Sequence, residues 1–307
     1  MSLIFLKTFF ESTVLADMNA DDPSCTPSAP STFLFAYSND LIPEIVSNSL
    51  ETIIFKLKSF ESKFHTIANV RFDTKTEEEI SYHSDLGNFE TSVNTHLPNS
   101  TVGFASTNTG SNILSVIEKV LDQCGSTIFI LLQRNPKETN ISDVVDLLQN
   151  QKVFVRTVIM DNLLGGSDSS VIYNISSKTN GLAVFADHDT VDDAVDFCTN
   201  HISTPYLFSF FQTIPVTFEV TVQKHPLSDD FRSLNLTLTD TNGKIQSVTI
   251  DKSRFIYFNG YYNTDVILRC NQDYEVNMGY NYDSEEIQSL EIRMSINQPT
   301  SIWPPYS

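Results

Sequence analysis

Basic residues are scarce in this sequence, and their scarcity limits the partners that the protein can have. Lysine and arginine together number 19 against 38 aspartate and glutamate residues, which gives a formal net charge of -19 over 307 residues. A surface of that sign repels the phosphate backbone of nucleic acids and anionic lipid headgroups. We therefore expect no nucleic acid among its partners.

Long apolar runs are also missing. No stretch approaches the roughly 20 apolar residues that a membrane-spanning helix needs, so we expect no membrane span. The first residues, Met1 to Ala16, have an apolar character and end in Val-Leu-Ala, which resembles a signal-peptidase site, but Lys7 and Glu11 interrupt them. A secretory leader and an ordinary tail are both compatible with this composition.

The sequence has only four cysteines, Cys25, Cys124, Cys198 and Cys270. They are far apart, which excludes the Cys-x-x-Cys pairs of zinc and redox sites. Cys25 lies just before the first predicted strand and Cys198 in the last predicted helix of the same domain, so a disulfide between them would join the two ends of that domain. The alternative is buried free thiols in a reducing compartment.

Motifs of familiar catalytic sites are absent as well. The chain contains no Gly-x-Ser-x-Gly nucleophile elbow, no His-Glu-x-x-His zinc pair, no Gly-x-Gly-x-x-Gly fingerprint and no phosphate loop that ends in Gly-Lys-Ser/Thr. Catalysis needs a nucleophile, an acid or base, and a group that stabilises developing charge. We therefore expect a noncatalytic protein without a cofactor.

Up to about residue 203, the chain contains a regular alternation of apolar strands and amphipathic helices. Short continuous apolar runs are typical of buried strands, whereas apolar residues at three- and four-residue spacing indicate helices. This alternation predicts an α/β fold with a doubly wound, mostly parallel sheet that helices cover on both faces. The predicted strands are Phe33–Tyr37, Thr66–Phe72, Glu79–His83, Thr127–Leu132, Val153–Ile159 and Leu182–Phe185. The predicted helices begin at Pro43, Leu86, Ile113, Ser142, Ser169 and Val191.

From about Tyr206 the pattern changes to alternating polar and apolar residues, which is typical of antiparallel strands with one buried face. Asp240-Thr-Asn-Gly243 predicts a hairpin turn, because Asn-Gly tolerates the positive φ angles that a two-residue turn requires. The clearest strands of this kind are Pro215–Val222, Leu234–Leu238, Val266–Leu268 and Leu290–Ile296. We therefore predict three regions, namely a leader or linker at 1–30, the α/β domain at 31–203, and an antiparallel β-sandwich at 206–307.

The run Thr107-Asn108-Thr109-Gly110 is the most informative motif of the α/β domain. Together with the order and spacing of the elements over residues 31–201, it resembles the von Willebrand factor A (VWA) family. The resemblance implies a divalent cation bound by oxygen ligands at the carboxyl ends of the strands, where open α/β sheets generally place ligands. The family takes these ligands from an Asp-x-Ser-x-Ser loop, a threonine before a later helix, and the aspartate of a Thr-Asp-Gly sequence.

This chain departs from the family pattern at the metal ligands. Ala36 replaces the leading aspartate of the first loop, Ser38 keeps the first serine, and Asp40 replaces the second. Thr107 matches the threonine, whereas Arg134 stands about where the last aspartate is expected. The fixed positive charge of Arg134 should repel a cation. These positions therefore predict a degenerate site without metal, in which Arg134 and Asp40 pair across the loops. If exposed, such a pair should contribute about 1 kcal/mol or less.

From the resemblance and the lost ligands, we expect a noncatalytic, secreted protein that binds a protein or glycan ligand without a metal ion. One alternative is a residual divalent-cation-dependent adhesion module built on Asp40, Ser38 and Thr107. Another is an enzyme that acts on a small polar substrate at the strand ends, with His83 or His188 beside Asp40. A cytoplasmic location is the alternative to secretion.

Overall fold

The computed structural model shows two compact units. The first comprises Asp21–Phe208 and Asn297–Ser307, and the second comprises Met1–Ala20 and Ser209–Ile296. The predicted boundary at residues 203–206 lies outside the described residues and stays a prediction. The structure describes residues 4–6, 25–26, 29–58, 64–120, 124–165, 170–199, 213–222, 230–257, 260–269, 273–283 and 290–296.

A mixed six-stranded sheet forms the centre of the first unit, which we call the α/β unit. Strand β1 (Ile4–Leu6) belongs to the second unit. The strands of the α/β unit are β2 (Ser31–Ser38), β3 (Phe64–Phe72), β4 (Ser81–His83), β5 (Thr127–Asn135), β6 (Phe154–Gly165) and β7 (Leu182–Ala186). They lie in the order β4-β3-β2-β5-β6-β7. All neighbouring pairs are parallel except β3 and β4, which are antiparallel. The predicted α/β class with a mostly parallel sheet is confirmed.

Six helices accompany this sheet. They are α1 (Pro43–Lys58), α2 (Leu86–Thr95), α3 (Ile113–Lys119), α4 (Ser142–Asn150), α5 (Ser170–Lys178) and α6 (Val191–Thr199). Helix α1 contacts α2 and α6, whereas α4 contacts α3 and α5, so each set covers one face of the sheet. Burial on both faces explains why every residue of β2 is buried. In the part of the chain that the structure describes, no helix is long and apolar enough to cross a membrane.

Two antiparallel sheets form the second unit, which we call the β unit. Its further elements are β8 (Thr213–Val222), β9 (Phe231–Asp240), β10 (Ile245–Asp251), α7 (Lys252–Tyr257), β11 (Tyr261–Arg269), β12 (Tyr274–Tyr282) and β13 (Leu290–Ile296). One sheet has the order β1-β12-β9-β10 and the other β11-β8-β13. Leu236 and Leu238 of β9 share a hydrophobic cluster with Val216 and Phe218 of β8. The two sheets therefore pack face to face, as predicted for a sandwich.

The predicted hairpin joins β9 and β10, with Gly243 at a φ of 78°. Four residues, 241–244, separate the strands rather than the predicted two, because the Asp240 carboxylate accepts hydrogen bonds from the backbone N–H of Asn242 and Lys244 and stabilises a wider loop. The region predicted as a leader or linker also contains a strand. Ile4–Leu6 pairs antiparallel with Val276 to Met278 of β12, because this edge of β12 is open to an added strand.

The predicted disulfide between Cys25 and Cys198 is wrong. Cys25 is bonded to Cys124 instead, and Cys198 is a buried free thiol. Strands β2 and β5 are parallel neighbours, with Phe33 opposite Thr127, so the segments that precede them meet at the amino edge of the sheet. Cys198 lies on α6, where its thiol donates to the carbonyl of Thr157 at 3.7 Å.

Candidate functional site

Polar residues gather where β2, β3 and β5 end. Strand β2 leads into Asn39 and Asp40, β3 leads into Asp73, and β5 ends at Arg134 and Asn135. Because the three strands are parallel neighbours, these residues meet at the carboxyl edge of the sheet. We call this group the carboxyl-edge site.

The side chain of Arg134 occupies the centre of the carboxyl-edge site and is only 1% exposed. Its Nε donates to Oδ2 of Asp40 at 2.7 Å, so the predicted ion pair is confirmed. The Asp40 side chain is 15% exposed, so the pair is part-buried rather than exposed. The Nη1 of Arg134 also donates to three backbone carbonyls of one loop, those of Ser106, Thr107 and Thr109. The guanidinium therefore joins three loop carbonyls to the end of β2.

The opposite side of that loop is held by the end of β6. The N–H of Gly165 donates to the carbonyl of Thr107 at 2.7 Å. Gly165 has a φ of 76°, and a Cβ there would come within 2.8 Å of Cγ of Arg134 and of the Thr109 carbonyl oxygen. Only glycine fits this conformation and this close approach. The sequence predicted that β6 ends at Ile159, and its extension to Gly165 completes the enclosure of Arg134.

Asp73 is a second buried carboxylate of the site, and the sequence analysis missed it. It is 0% exposed and adopts a φ of 65° directly after β3. Its Oδ1 accepts from Oγ of Ser111 at 2.6 Å, and its Oδ2 accepts from Oγ of Ser38 at 2.6 Å. Burial raises the pKa of Asp73 to about 6, although the two hydroxyl groups favour the ionised form. An aspartate directly after an apolar strand next to β2 was the signal that could have revealed it.

The other three predicted site residues have different roles. Ala36 lies within β2, is 0% exposed and belongs to the hydrophobic core beneath the site. The hydroxyl of Ser38 donates to Asp73 and accepts from the N–H of Asp40 at 3.3 Å. Thr107 is exposed and contributes its backbone carbonyl to Arg134 and to Gly165. The site therefore unites Asp40, Thr107 and Arg134, places Ser38 beside them, and leaves Ala36 in the core.

These residues do not fit the divalent cation that the VWA resemblance implies. Magnesium requires several oxygen ligands, most of them from carboxylates, carbonyls or water. Here one oxygen of the Asp40 carboxylate and the loop carbonyls already bind a guanidinium. Over the described ranges, no group of three or more His, Cys, Asp or Glu side chains stands close enough to hold a metal ion.

An open cleft of about 740 Å³ lies beside the site. It is lined by residues 39–43, between the end of β2 and the start of α1, by the last two residues of α2, and by residues 97–100, 103 and 104 after α2. Neither His83 nor His188 lines it. His83 instead lies 2.8 Å from the Asn69 amide, and His188 is exposed beside Asp189. Tyr37 is completely buried, and its hydroxyl donates to the carbonyl of His96.

Comparison with known proteins identifies two regions of similarity. Residues 199–297 match the family model described as Domain of unknown function (DUF7154), which falls largely in the β unit. The sequence matches no curated protein.

Solved structures similar to this chain include the VWA domain of SpRpn10, with 12% sequence identity, a TM-score of 0.39, and coverage of 54% of this chain and 94% of that one. Another is the conserved hypothetical protein BatB from Bacteroides thetaiotaomicron, with 10% identity, a TM-score of 0.38, and coverage of 55% and 96%. A third is an aerotolerance-related membrane protein from Bacteroides fragilis, with 10% identity, a TM-score of 0.38, and coverage of 56% and 100%.

Proposed function

We propose that this is a noncatalytic, extracellular interaction protein whose α/β unit binds a protein or glycan ligand without a metal ion. The observation that carries the proposal is the position of Arg134, which brings a fixed positive charge to Asp40 and to the Thr107 loop. The charge that a bound cation would contribute is thus supplied by a side chain. Tyr37 and Arg134 also fill the strand ends where an open sheet would otherwise place a catalytic pocket.

Cation titration by isothermal calorimetry tests the absence of metal. We expect neither magnesium nor manganese chloride to produce binding heat with the unaltered protein or with Thr107→Ala. Micromolar binding that disappears in Thr107→Ala would instead support the residual cation-dependent adhesion module.

Two substitutions at Arg134 test whether this position controls cation binding. Arg134→Asp places a carboxylate where the guanidinium stands, so magnesium should bind this variant and raise its melting temperature. Arg134→Met removes the charge without adding a ligand and should gain no response. Equal responses of the two variants would show that position 134 does not control cation binding.

The proposed extracellular location is supported by the Cys25–Cys124 disulfide, because such bonds persist in oxidising compartments. Mass spectrometry of the protein from its native source tests it. We expect Cys25 to be joined to Cys124. Reduced Cys25 and Cys124 would favour the cytoplasmic alternative.

A further inference from the structure

One wall of the cleft beside Asp40 is held in place by buried side chains of the sheet. The hydroxyl of Tyr37 donates to the carbonyl of His96 at 3.1 Å, and Nη1 of Arg71 donates to the carbonyl of Leu97 at 2.7 Å. The amide of Asn39 donates to the carbonyl of Asn99 and accepts from its N–H, at 3.1 and 2.9 Å. Three side chains from β2, β3 and the residue after β2 therefore fix the backbone of residues 96–99.

Four exposed polar side chains line the cleft at or next to this fixed backbone. They are Asn94 and Thr95 at the end of α2, Asn99 within the fixed segment, and Ser100 after it. Oδ1 of Asn99 accepts from the N–H and hydroxyl of Thr101, at 2.9 and 2.8 Å, which orients its amide. Preorganised polar groups of this kind lower the entropic cost of binding a ligand.

The charged and polar groups of the cleft indicate which kind of ligand it can bind. Among the described residues that line it, Asp40 is the only one with a charged side chain, and it forms the part-buried ion pair with Arg134. A charged ligand would therefore find no free counterion there. Asparagine amides and the hydroxyl of Ser100 both donate and accept hydrogen bonds. The hydroxyl of Thr95 already donates to backbone carbonyls within α2, so it can only accept from a ligand.

Sugar hydroxyl groups also donate and accept, so they match this lining. The cleft offers apolar surface for the C–H faces of a sugar in Ile42, which is 48% exposed, Pro43 and the half-buried Phe104. Its volume of about 740 Å³ falls within the range of roughly 300–1,000 Å³ that ligand sites occupy.

We propose that this cleft binds a neutral oligosaccharide. The proposal rests on the proposed function and names the class of ligand for it. Residues 94–100 provide hydrogen bonds from one wall, and Ile42, Pro43 and Phe104 provide packing.

The test is calorimetry of the full chain, in EDTA and again in magnesium, with maltotetraose, cellotetraose, mannotetraose and chitotetraose. Heparin tetrasaccharide and tetralysine are the charged comparisons. At least one neutral tetrasaccharide should bind, and Asn94→Ala or Ser100→Ala should weaken it about fivefold, because each removes a ligand hydrogen bond. Asn150→Ala, which removes an exposed amide at the end of α4, away from the cleft lining, should leave binding unchanged.

Several outcomes would overturn the proposal. They are no binding of any neutral tetrasaccharide, binding that is equal in Asn94→Ala and Ser100→Ala, and cleft-dependent binding of heparin tetrasaccharide or tetralysine instead. The two proposals fail in different ways. Saccharide binding that requires magnesium would contradict metal independence alone, whereas tetralysine binding in EDTA would contradict the saccharide alone.

Discussion

The two edges of the central sheet are held together by different kinds of bond. At the amino edge, Cys25 and Cys124 form a covalent link, and the hydroxyl of Ser126 accepts from the N–H of Thr32 at 3.2 Å. At the carboxyl edge, the buried guanidinium of Arg134 binds Asp40 and the loop that contains Thr107. The first edge therefore depends on redox state and the second on charge.

This difference shows that apolar packing alone does not fix the whole structure of a parallel sheet. Burial of apolar side chains holds the strands and helices together but does not position the polar loops at the strand ends. The loops at each edge are therefore held by a separate interaction, a disulfide at one edge and a guanidinium at the other. Each interaction can be removed by mutation without removing the other.

Removal of the Arg134 guanidinium should have the largest effect on stability. Arg134→Met leaves the Asp40 carboxylate and several loop carbonyls without their donor, so we expect the free energy of unfolding to fall by about 3–5 kcal/mol. Urea unfolding followed by circular dichroism at a helical wavelength measures it, because helices α1 to α6 all belong to the α/β unit. The control is Lys119→Met, which breaks a part-exposed pair with Glu77 in the same unit and should leave the free energy of unfolding almost unchanged. Equal effects of the two substitutions would show that the stability of the α/β unit does not depend on the Arg134 guanidinium.

Removal of the covalent link should come next. The bond joins Cys25 and Cys124, which are 99 positions apart. We expect Cys25→Ser with Cys124→Ser to lower the free energy of unfolding by about 2–4 kcal/mol, the range typical of disulfides. Dithiothreitol should have the same effect on the unaltered protein. Cys198→Ser is the control, because this thiol is not part of a disulfide and its loss should leave the response to reductant intact. A chain whose unfolding is indifferent to reductant would contradict the role given to the amino edge.

The carboxyl edge should also respond to pH through Asp73. Burial raises its pKa from 3.8 to about 6, so the folded state binds this proton more tightly than the unfolded state. Asp73 therefore contributes most to stability at a pH below 3.8, the pKa in the unfolded chain. This contribution is lost as the pH rises from there through about 6, the pKa in the folded protein. Between about pH 5 and about pH 7 the unaltered protein should lose about 1 kcal/mol of stability relative to Asp73→Asn. Urea unfolding of both proteins at the two pH values measures this, and parallel pH profiles would refute it.

The smallest effect should come from the hydroxyl at the amino edge. Ser126 is 0% exposed, and Ser126→Ala leaves the N–H of Thr32 without this acceptor. We expect a loss of about 1 kcal/mol, independent of pH. Thermal unfolding of this variant at two pH values separates it from the Asp73 effect, and a pH-dependent loss would show that the edges are coupled.

The fold was largely predictable because its central strands are continuous apolar runs. Phe33–Tyr37 and Thr127–Leu132 were predicted as strands and lie within β2 and β5. Strand β12 was missed, since its apolar residues are interrupted by Asn277 and Gly279 and its tyrosines fit several environments. Its pairing with β9 depends on contacts across the sheet that local patterns do not contain.

The family resemblance supplied a register for one part of the carboxyl-edge site and none for the rest. The register placed Arg134 near Asp40, and the two side chains form an ion pair. Nothing in that register points to Asp73, whose role depends on a positive φ and on hydroxyls from two other segments. Cysteine pairing likewise depends on which strands are neighbours, so Cys124 could not be chosen over Cys198 from spacing alone.

Arg134 differs from a metal ion in one further respect, which is that it cannot dissociate. A metal ion exchanges with its surroundings, so calcium or magnesium levels and chelators can switch a metal site on and off. The guanidinium is part of the polypeptide and is enclosed by Gly165 and the Thr107 loop. Its charge is therefore present in a fixed one-to-one ratio from the moment the chain folds. A change in calcium or magnesium concentration therefore cannot remove this charge from the carboxyl edge.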